Sequence, residues 1–146
     1  MARVLVADVA EMDDRIRHCL PGHELAFVRT MREAMTSLRH DGFSLVVIGV
    51  LFDESRMFEL LRLVRTYKQN ALTPVVCMLT GESNLSTVAI EGLDHAVKAM
   101  LANAFLNLNK FPDHAEGNAR VRRIVDYLIL IDGDIHGGFK SVHEND

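Results

Sequence analysis

Residues 44–51, SLVVIGVL, decide the fold that this sequence predicts. Apolar side chains occupy consecutive positions here, a pattern typical of strands that are buried on both faces of a sheet. No other strand-like segment of the chain is as apolar. We therefore expect this segment to be the central strand of the sheet.

Four further segments have strand character and alternate with segments of helical periodicity. The strand-like segments are residues 3–7, 24–28, 75–79 and 104–108. Helices are predicted from residue 11, from Thr30, over 54–68, over 85–101 and from Asp113, with Thr30 and Glu33 spaced as a capping box. Five strands alternating with five helices indicate βαβ units, a parallel sheet and right-handed crossovers. The expected architecture is a doubly wound α/β domain.

Composition limits the classes of protein that this chain can represent. The 146 residues suffice for one domain with a core, and their net charge of −4 disfavours a nucleic-acid binder. No apolar run has the 18–20 or so residues of a membrane span. The N-terminus is a short apolar stretch followed at once by acidic residues, so we do not expect a signal peptide. Two cysteines in apolar segments are expected as buried thiols. The sequence predicts a cytoplasmic domain over 1–131 and a flexible, polar, glycine-rich C-terminal tail over 132–146.

The order of elements and the residue types at the strand ends resemble the receiver domain of bacterial response regulators. The resemblance covers residues 3–131 and is most specific in the stretch SLVVIGVLFDESRMFELLRLVR. RVLVAD and TPVVCMLTG are similar to the family's first and fourth strands. The resemblance implies a flavodoxin-like (CheY-like) fold with strand order 2-1-3-4-5, five helices and a crevice at the carboxyl ends of the strands. It also implies a role in two-component signal transduction or a phosphorelay.

At the positions that carry receiver chemistry, this sequence departs from the family. The register of the third strand places Gly49 where the family has its phosphoacceptor Asp, and the acidic pair after the first strand reads Asp8-Val9. Thr80 matches the hydroxyl residue after the fourth strand. If Phe105 is the family's aromatic residue of the fifth strand, Leu108 takes the place of the lysine. Lys110 then follows two residues later.

These departures remove the groups that phosphoryl transfer needs. Glycine has no carboxylate that could form an acyl phosphate. Mg²⁺ is usually anchored by one or two carboxylates, and Asp8 alone makes a poor site once Val9 and Gly49 supply no side-chain oxygen. We therefore predict no metal, no cofactor and no enzymatic activity. Seven histidines lie scattered, with none at metal-ligand spacing.

Three polar residues have alternative interpretations. Asp53, four residues after Gly49, would lie roughly 13 Å away in an extended chain. It either caps the third helix, a role that Ser55 could also take, or compensates for the missing phosphoacceptor, as Glu54 could. Asp8 is either a remnant of the acidic pocket or a cap of the first helix. Thr80 is either a conformational reporter or a structural hydroxyl.

Two functions from different classes remain open for this chain. The first is a phosphorylation-independent pseudo-receiver that acts by protein–protein interaction with another signalling protein or by self-association as a homodimer. Its interaction face, next to the fifth strand, would include Phe105, Phe111, Arg120 and Arg123. The same residues are also compatible with a half-buried aromatic side chain and a basic helix face that is exposed to solvent and binds no partner. The alternative is a small-molecule binder whose crevice gains room at Gly49.

Overall fold

The computed structural model describes the backbone of residues 2–80 and 84–145, and side chains as far as Ile131. Its five strands form one parallel sheet in the order β2-β1-β3-β4-β5, which confirms the predicted topology and the central position of β3. The strands are β1 Arg3–Ala7, β2 Glu24–Val28, β3 Leu45–Gly49, β4 Val75–Leu79 and β5 Ala104–Asn107.

Among the described residues, six helices connect or follow these strands instead of the predicted five. They are α1 Asp13–Cys19, α2 Met31–His40, α3 Phe52–Ser55, α4 Met57–Val64, α5 Thr87–Ala99 and α6 Ala115–Asn145. Short 3₁₀ turns span Ala10–Met12, Lys68–Asn70 and Leu108–Lys110. The additional helix arises because the crossover after β3 is broken into two pieces.

The break after β3 has a backbone cause. Asp53, Glu54 and Ser55 have φ angles of 42°, 57° and 66°, so three consecutive residues are left-handed. A left-handed run cannot continue a right-handed helix, because the two hands place successive amides differently. The helix predicted from Glu54 therefore begins only at Met57.

Helix starts follow local side-chain chemistry. The capping box predicted for α2 is confirmed: Thr30 Oγ1 accepts from the amide of Glu33, and the Glu33 carboxylate accepts from the amide of Thr30. The cap predicted at Asp113 for the last helix is wrong. The ring Nδ1 of His114 accepts from the amide of Gly117 at 3.2 Å, while Asp113 accepts from the side chain of Asn118.

Helix α6 continues beyond Ile131, where the sequence predicts a flexible tail. Its backbone is helical to Asn145, which differs from the expected loss of regular structure at Asp132. Once a helix is nucleated, each added residue gains a hydrogen bond, so glycines weaken the extension without forbidding it. The side chains of 132–146 lie outside the described residues, and the flexibility of that segment stays a prediction.

The sheet has a separate core on each face. The first core lies under α2, α4 and α5 and includes Leu5, Ile48 and Phe52, while the second lies under α1 and α6 and includes Val6, Val47 and Val121. Every residue of β3 and β4 is buried, as the unbroken apolar runs predict. Cys19 and Cys77 are buried free thiols, which confirms the prediction.

Candidate functional site

The strand register brings three of the predicted pocket residues to one edge of the sheet. Ala7 pairs with Ile48, and Gly49 pairs with Met78. Asp8 and Thr80 each follow their strand by one residue, so they flank Gly49 at the carboxyl ends of β1 and β4. This edge is where open α/β sheets bind ligands.

Asp8 is buried at this edge, with 1% of its surface exposed. Its Oδ1 accepts from the amide of Val9 at 2.8 Å, and the hydroxyl of Thr80 lies 3.5 Å from Oδ2. Burial raises the pKa of the Asp8 carboxyl to about 6, against the smaller opposing effect of these hydrogen bonds and of Arg29. Its side chain makes no cap for α1, so the position in the pocket is the interpretation that the structure favours.

The space beside the Cα of Gly49 is filled by the side chain of Asp8. A Cβ built on Gly49 would lie less than 3.0 Å from the carboxyl carbon and both carboxyl oxygens of Asp8. The expectation that Gly49 leaves room in the crevice is therefore wrong. The absent side chain of Gly49 makes room for Asp8 itself, and not for a ligand.

The pocket does not fit the Mg²⁺ ion that the fold family implies. Asp8 supplies a carboxylate, but Oδ1 already accepts a hydrogen bond and both oxygens lie in the space where a Cβ at position 49 would be. Val9 and Gly49 offer no side-chain oxygen. Near-octahedral coordination of Mg²⁺ needs several accessible oxygens around one point. Among residues 2–80 and 84–131, no cluster of three or more His, Cys, Asp or Glu side chains could hold a metal ion.

Asp53 faces a neighbouring helix. Its Oδ2 accepts from the amide of Met31, the first residue of α2, at 2.8 Å, and Arg56 Nη1 lies 3.4 Å from the same oxygen. The prediction that Asp53 or Ser55 caps the following helix is wrong, since α4 has no side-chain cap. The left-handed turn directs the Asp53 carboxylate toward α2, where an unpaired amide and the helix dipole favour an anion.

At the end of β5, a leucine stands where the resemblance places the family's lysine. Leu108 is buried in the core under α1 and α6. Lys110 ends the 3₁₀ turn after β5, and its side chain is exposed. Among the described residues, the groups that act on the Asp8 carboxyl are Val9, Thr80, Arg29 and Asp13, and Lys110 is not one of them.

Sequence reasoning missed Arg29 as part of this pocket. Its Nη1 donates to the carbonyl oxygen of Asp8 at 3.0 Å, its Nη2 pairs with Asp13, and its guanidinium stacks on Phe27. Val28 is the last residue of β2 and pairs with Ala7, so Arg29 occupies the same strand-end edge as Asp8. The strand order together with the position of Arg29 would have predicted this contact.

A second feature is a groove between β5 and α6. Its volume is about 520 Å³, and it is lined by Ala104, Phe111, Arg120, Arg123, Ile124, Tyr127 and Leu128. The guanidinium of Arg120 lies 5.0 Å from the ring centre of Phe111, in cation–π geometry. Three of the four predicted interaction-face residues therefore line one groove. Phe105 packs on the opposite face of the sheet, against the core under α5.

Within the described part of the chain, no helix is both long and apolar enough to cross a membrane.

Several solved structures of response regulators and receiver domains have the same fold as this chain. A response regulator from Hahella chejuensis superposes with a TM-score of 0.69 at 20% identity, over 90% of this chain and 98% of that one. The chemotaxis response regulator CheY4 of Vibrio cholerae matches with a TM-score of 0.65 at 24% identity, over 86% and 98% of the two chains. No family model matches the sequence, and no curated protein does. The chain thus has the receiver-type, CheY-like fold.

Proposed function

We propose that this protein is a pseudo-receiver, a receiver-type signalling module that works by protein–protein contact without phosphoryl transfer. One observation carries the proposal: the Asp8 carboxyl fills the space beside Gly49 where a phosphoacceptor side chain would begin. The fold shared with response regulators supports a signalling role, and the altered pocket supports independence from phosphate.

Asp8 is a poor substitute for the missing nucleophile. A carboxylate attacks phosphorus only when it is ionised and accessible to the donor. Burial opposes the second condition, because it leaves 1% of the residue exposed, although a carboxyl with a pKa of about 6 is still mostly ionised at neutral pH. Asp53 is engaged with the first amide of α2 and with Arg56, so it would have to leave both partners to act as an acceptor.

The loss of phosphate chemistry changes how such a domain signals. In a switching protein, a ligand shifts a two-state equilibrium only if it binds the two states with different affinity. A domain without a phosphoryl group lacks that input, so one conformation presents its binding surface permanently. The groove with Phe111, Arg120 and Arg123 is the surface that best suits a partner, since it combines apolar lining with exposed cations.

The alternative, a small-molecule binder, has less support. The space beside Gly49 is taken, and the adjoining cavity of about 290 Å³ is lined mostly by apolar side chains such as Val50, Leu79 and Leu85. Among its described lining residues none is charged, so they offer no cation to the phosphate or carboxylate of an anionic cofactor.

Intact-mass spectrometry after incubation with acetyl phosphate and Mg²⁺ tests the proposal. We expect no stoichiometric phosphoryl adduct on the wild-type chain. An adduct that is cleaved by hydroxylamine and is lost in Asp8→Asn or in Asp53→Asn would contradict the proposal and identify the acceptor. An active receiver domain treated in parallel controls for the quality of the donor.

A further inference from the structure

A cleft lies between the left-handed turn after β3 and the first turns of α5, at the carboxyl end of the sheet. It has two adjoining compartments of about 320 and 290 Å³, and Val50, Ser55 and Leu85 line both of them. The larger compartment falls within the roughly 300–1,000 Å³ that is typical of small-molecule sites. Gly49 is not among the described residues that line the cleft, so its volume is distinct from the space that Asp8 fills.

The apolar walls of this cleft are incompletely covered by the rest of the domain. Val50, Phe58 and Leu93 pack against the first core but are only partly buried. Leu51 and Leu85, which line the smaller compartment, are 46% and 43% exposed. Contiguous apolar surface that stays open around a concavity is typical of a binding site.

The polar residues of the cleft are uncharged and lie toward one end of it. Ser55 is on the wall that the two compartments share, and Thr80 and Asn84 line only the smaller compartment. Hydroxyl and amide groups can both donate and accept hydrogen bonds. None of the described lining residues carries a charge. These walls therefore suit an uncharged molecule whose apolar part fills the larger compartment.

The wall that carries Ser55 is the strained turn after β3. Ser55 has a φ angle of 66° and follows two other left-handed residues. Asp53 holds the turn by accepting a hydrogen bond from the amide of Met31. Strained backbone that is held by its surroundings is concentrated at active sites and ligand clamps. The backbone thus points to the same cleft as the exposed apolar side chains.

We propose that this cleft binds a small uncharged molecule with an apolar body and one hydroxyl or amide group. The apolar body lies beside Phe58 and Leu93, and the polar group lies beside Ser55. Thr80 lines the smaller compartment and its hydroxyl is 3.5 Å from Asp8 Oδ2, so the bound molecule is a neighbour of the Asp8 pocket. This activity goes beyond the pseudo-receiver function, because it involves neither a phosphoryl group nor a protein partner.

A methyl-region NMR titration of the full chain with para-cresol tests the site. This probe is uncharged at neutral pH and combines an apolar ring with one hydroxyl group. We expect saturable shifts of the methyl groups of Met57, Leu85 and Leu93, with a Kd of about 1 mM or tighter. Absence of saturable shifts at these methyl groups, or saturable shifts confined to Ile124 and Leu128 of the other groove, would overturn the proposal.

A variant that fills the larger compartment localises the binding. Ala89→Phe should weaken the binding of para-cresol at least about tenfold, because Ala89 is an exposed residue on the wall of that compartment. Ala99→Phe is the matched control, since Ala99 is also exposed on α5 but is not among the described residues that line the cleft. Unchanged affinity in Ala89→Phe, or equal weakening in both variants, would contradict binding in the cleft.

Charged analogues of para-cresol test the class of ligand. para-Toluate and the ammonium form of para-methylbenzylamine keep the methyl-substituted ring and replace the hydroxyl by a charged group. Each should bind severalfold more weakly, because a charge loses hydration on entering an apolar cleft without gaining an opposite charge. Equal or tighter binding of either analogue would refute an uncharged ligand. The phosphorylation assay is independent of these titrations, so a chain that binds no para-cresol and takes no phosphoryl group refutes this site while leaving the pseudo-receiver proposal in place.

Discussion

At the scale of single residues, the contact between Asp8 and Gly49 defines this pocket. The Asp8 carboxyl occupies the space that a side chain on residue 49 would fill. Two residues with ordinary side chains could not both fit there. Each residue therefore restricts what the other position can hold. The substitution Gly49→Asp alone would bring two carboxylates into the same space.

We predict strong coupling between substitutions at these two positions. Gly49→Ala should lower the free energy of unfolding by about 1–3 kcal/mol, because the new methyl group collides with the buried Asp8 carboxyl. In an Asp8→Gly background, the same change should cost much less, since the space is then free. Urea denaturation of the four proteins measures the coupling. Equal costs in both backgrounds would show that Asp8 does not fill the space.

Asp8 should also make stability depend on pH. Its pKa is raised from 3.8 to about 6, so between these values the folded protein holds a proton that the unfolded chain has released. The Asp8 contribution to stability is therefore fully present below about pH 4 and is lost as the pH rises to about 6. Asp8→Asn should remove this loss and stabilise the protein at pH 7 by on the order of 2 kcal/mol.

The measurement is the free energy of urea denaturation from pH 4 to pH 7 for the wild type and Asp8→Asn. Other carboxylates titrate in both proteins, so the difference between the two curves isolates Asp8. A difference that is constant across this range would contradict the raised pKa. Thr80→Val, which removes the hydroxyl near Oδ2, should raise the pKa further and serves as a control of direction.

At the scale of elements, the left-handed turn between β3 and α4 is the unusual feature of this chain. Residues 53–55 all have positive φ, although none is glycine. Such residues cost roughly 1–2 kcal/mol each relative to right-handed backbone. The hydrogen bonds that Asp53 accepts from the amide of Met31 and from Arg56 hold the turn in place and connect α2 to the end of β3.

Glycine substitution should distinguish this turn from an ordinary helix. Glu54 is exposed with φ 57°, so Glu54→Gly should leave stability unchanged or raise it by up to about 1 kcal/mol. Glu91 is also exposed but lies inside α5, and Glu91→Gly should cost about 1 kcal/mol. Thermal denaturation compares the two. Destabilisation of similar size at both sites would contradict a left-handed Glu54.

At the scale of the whole molecule, this chain has the receiver-type fold while Val9 and Gly49 stand where the family resemblance places carboxylates. Its sheet has the strand order β2-β1-β3-β4-β5, with one core on each face. The strand order and the cores depend on apolar strands and amphipathic helices, and not on the side chains at positions 9 and 49. A fold by itself does not fix the chemistry of its site.

We predict that millimolar Mg²⁺ leaves the melting temperature of the protein unchanged. A ligand that binds only the folded state stabilises it by RT ln(1 + [L]/Kd), so a real site would raise that temperature. The pocket offers one engaged carboxylate and no such site. Differential scanning calorimetry with NaCl at matched ionic strength is the check. A rise that is specific to Mg²⁺ and absent in Asp8→Asn would contradict the prediction.

Several features were fully determined by local sequence. The central strand follows from eight consecutive residues, and the capping box of α2 from Thr30 and Glu33. Each of these depends on periodicity or on chemistry within a few positions of the chain. The strand order could not be predicted from local sequence, because strand pairing joins residues that are far apart in the chain. Its prediction depended on the resemblance to receiver domains.

The tertiary structure decided which side chains fill the spaces between elements. Asp8 and Gly49 are 41 positions apart, and only the pairing of β1 with β3 brings them into one volume. The same holds for Asp53 at the start of α2 and for Arg29 beside Asp8. Steric exclusion and desolvation act through space and not along the chain. The sequence therefore predicts free space at Gly49, whereas in the folded protein the side chain of Asp8 fills that space.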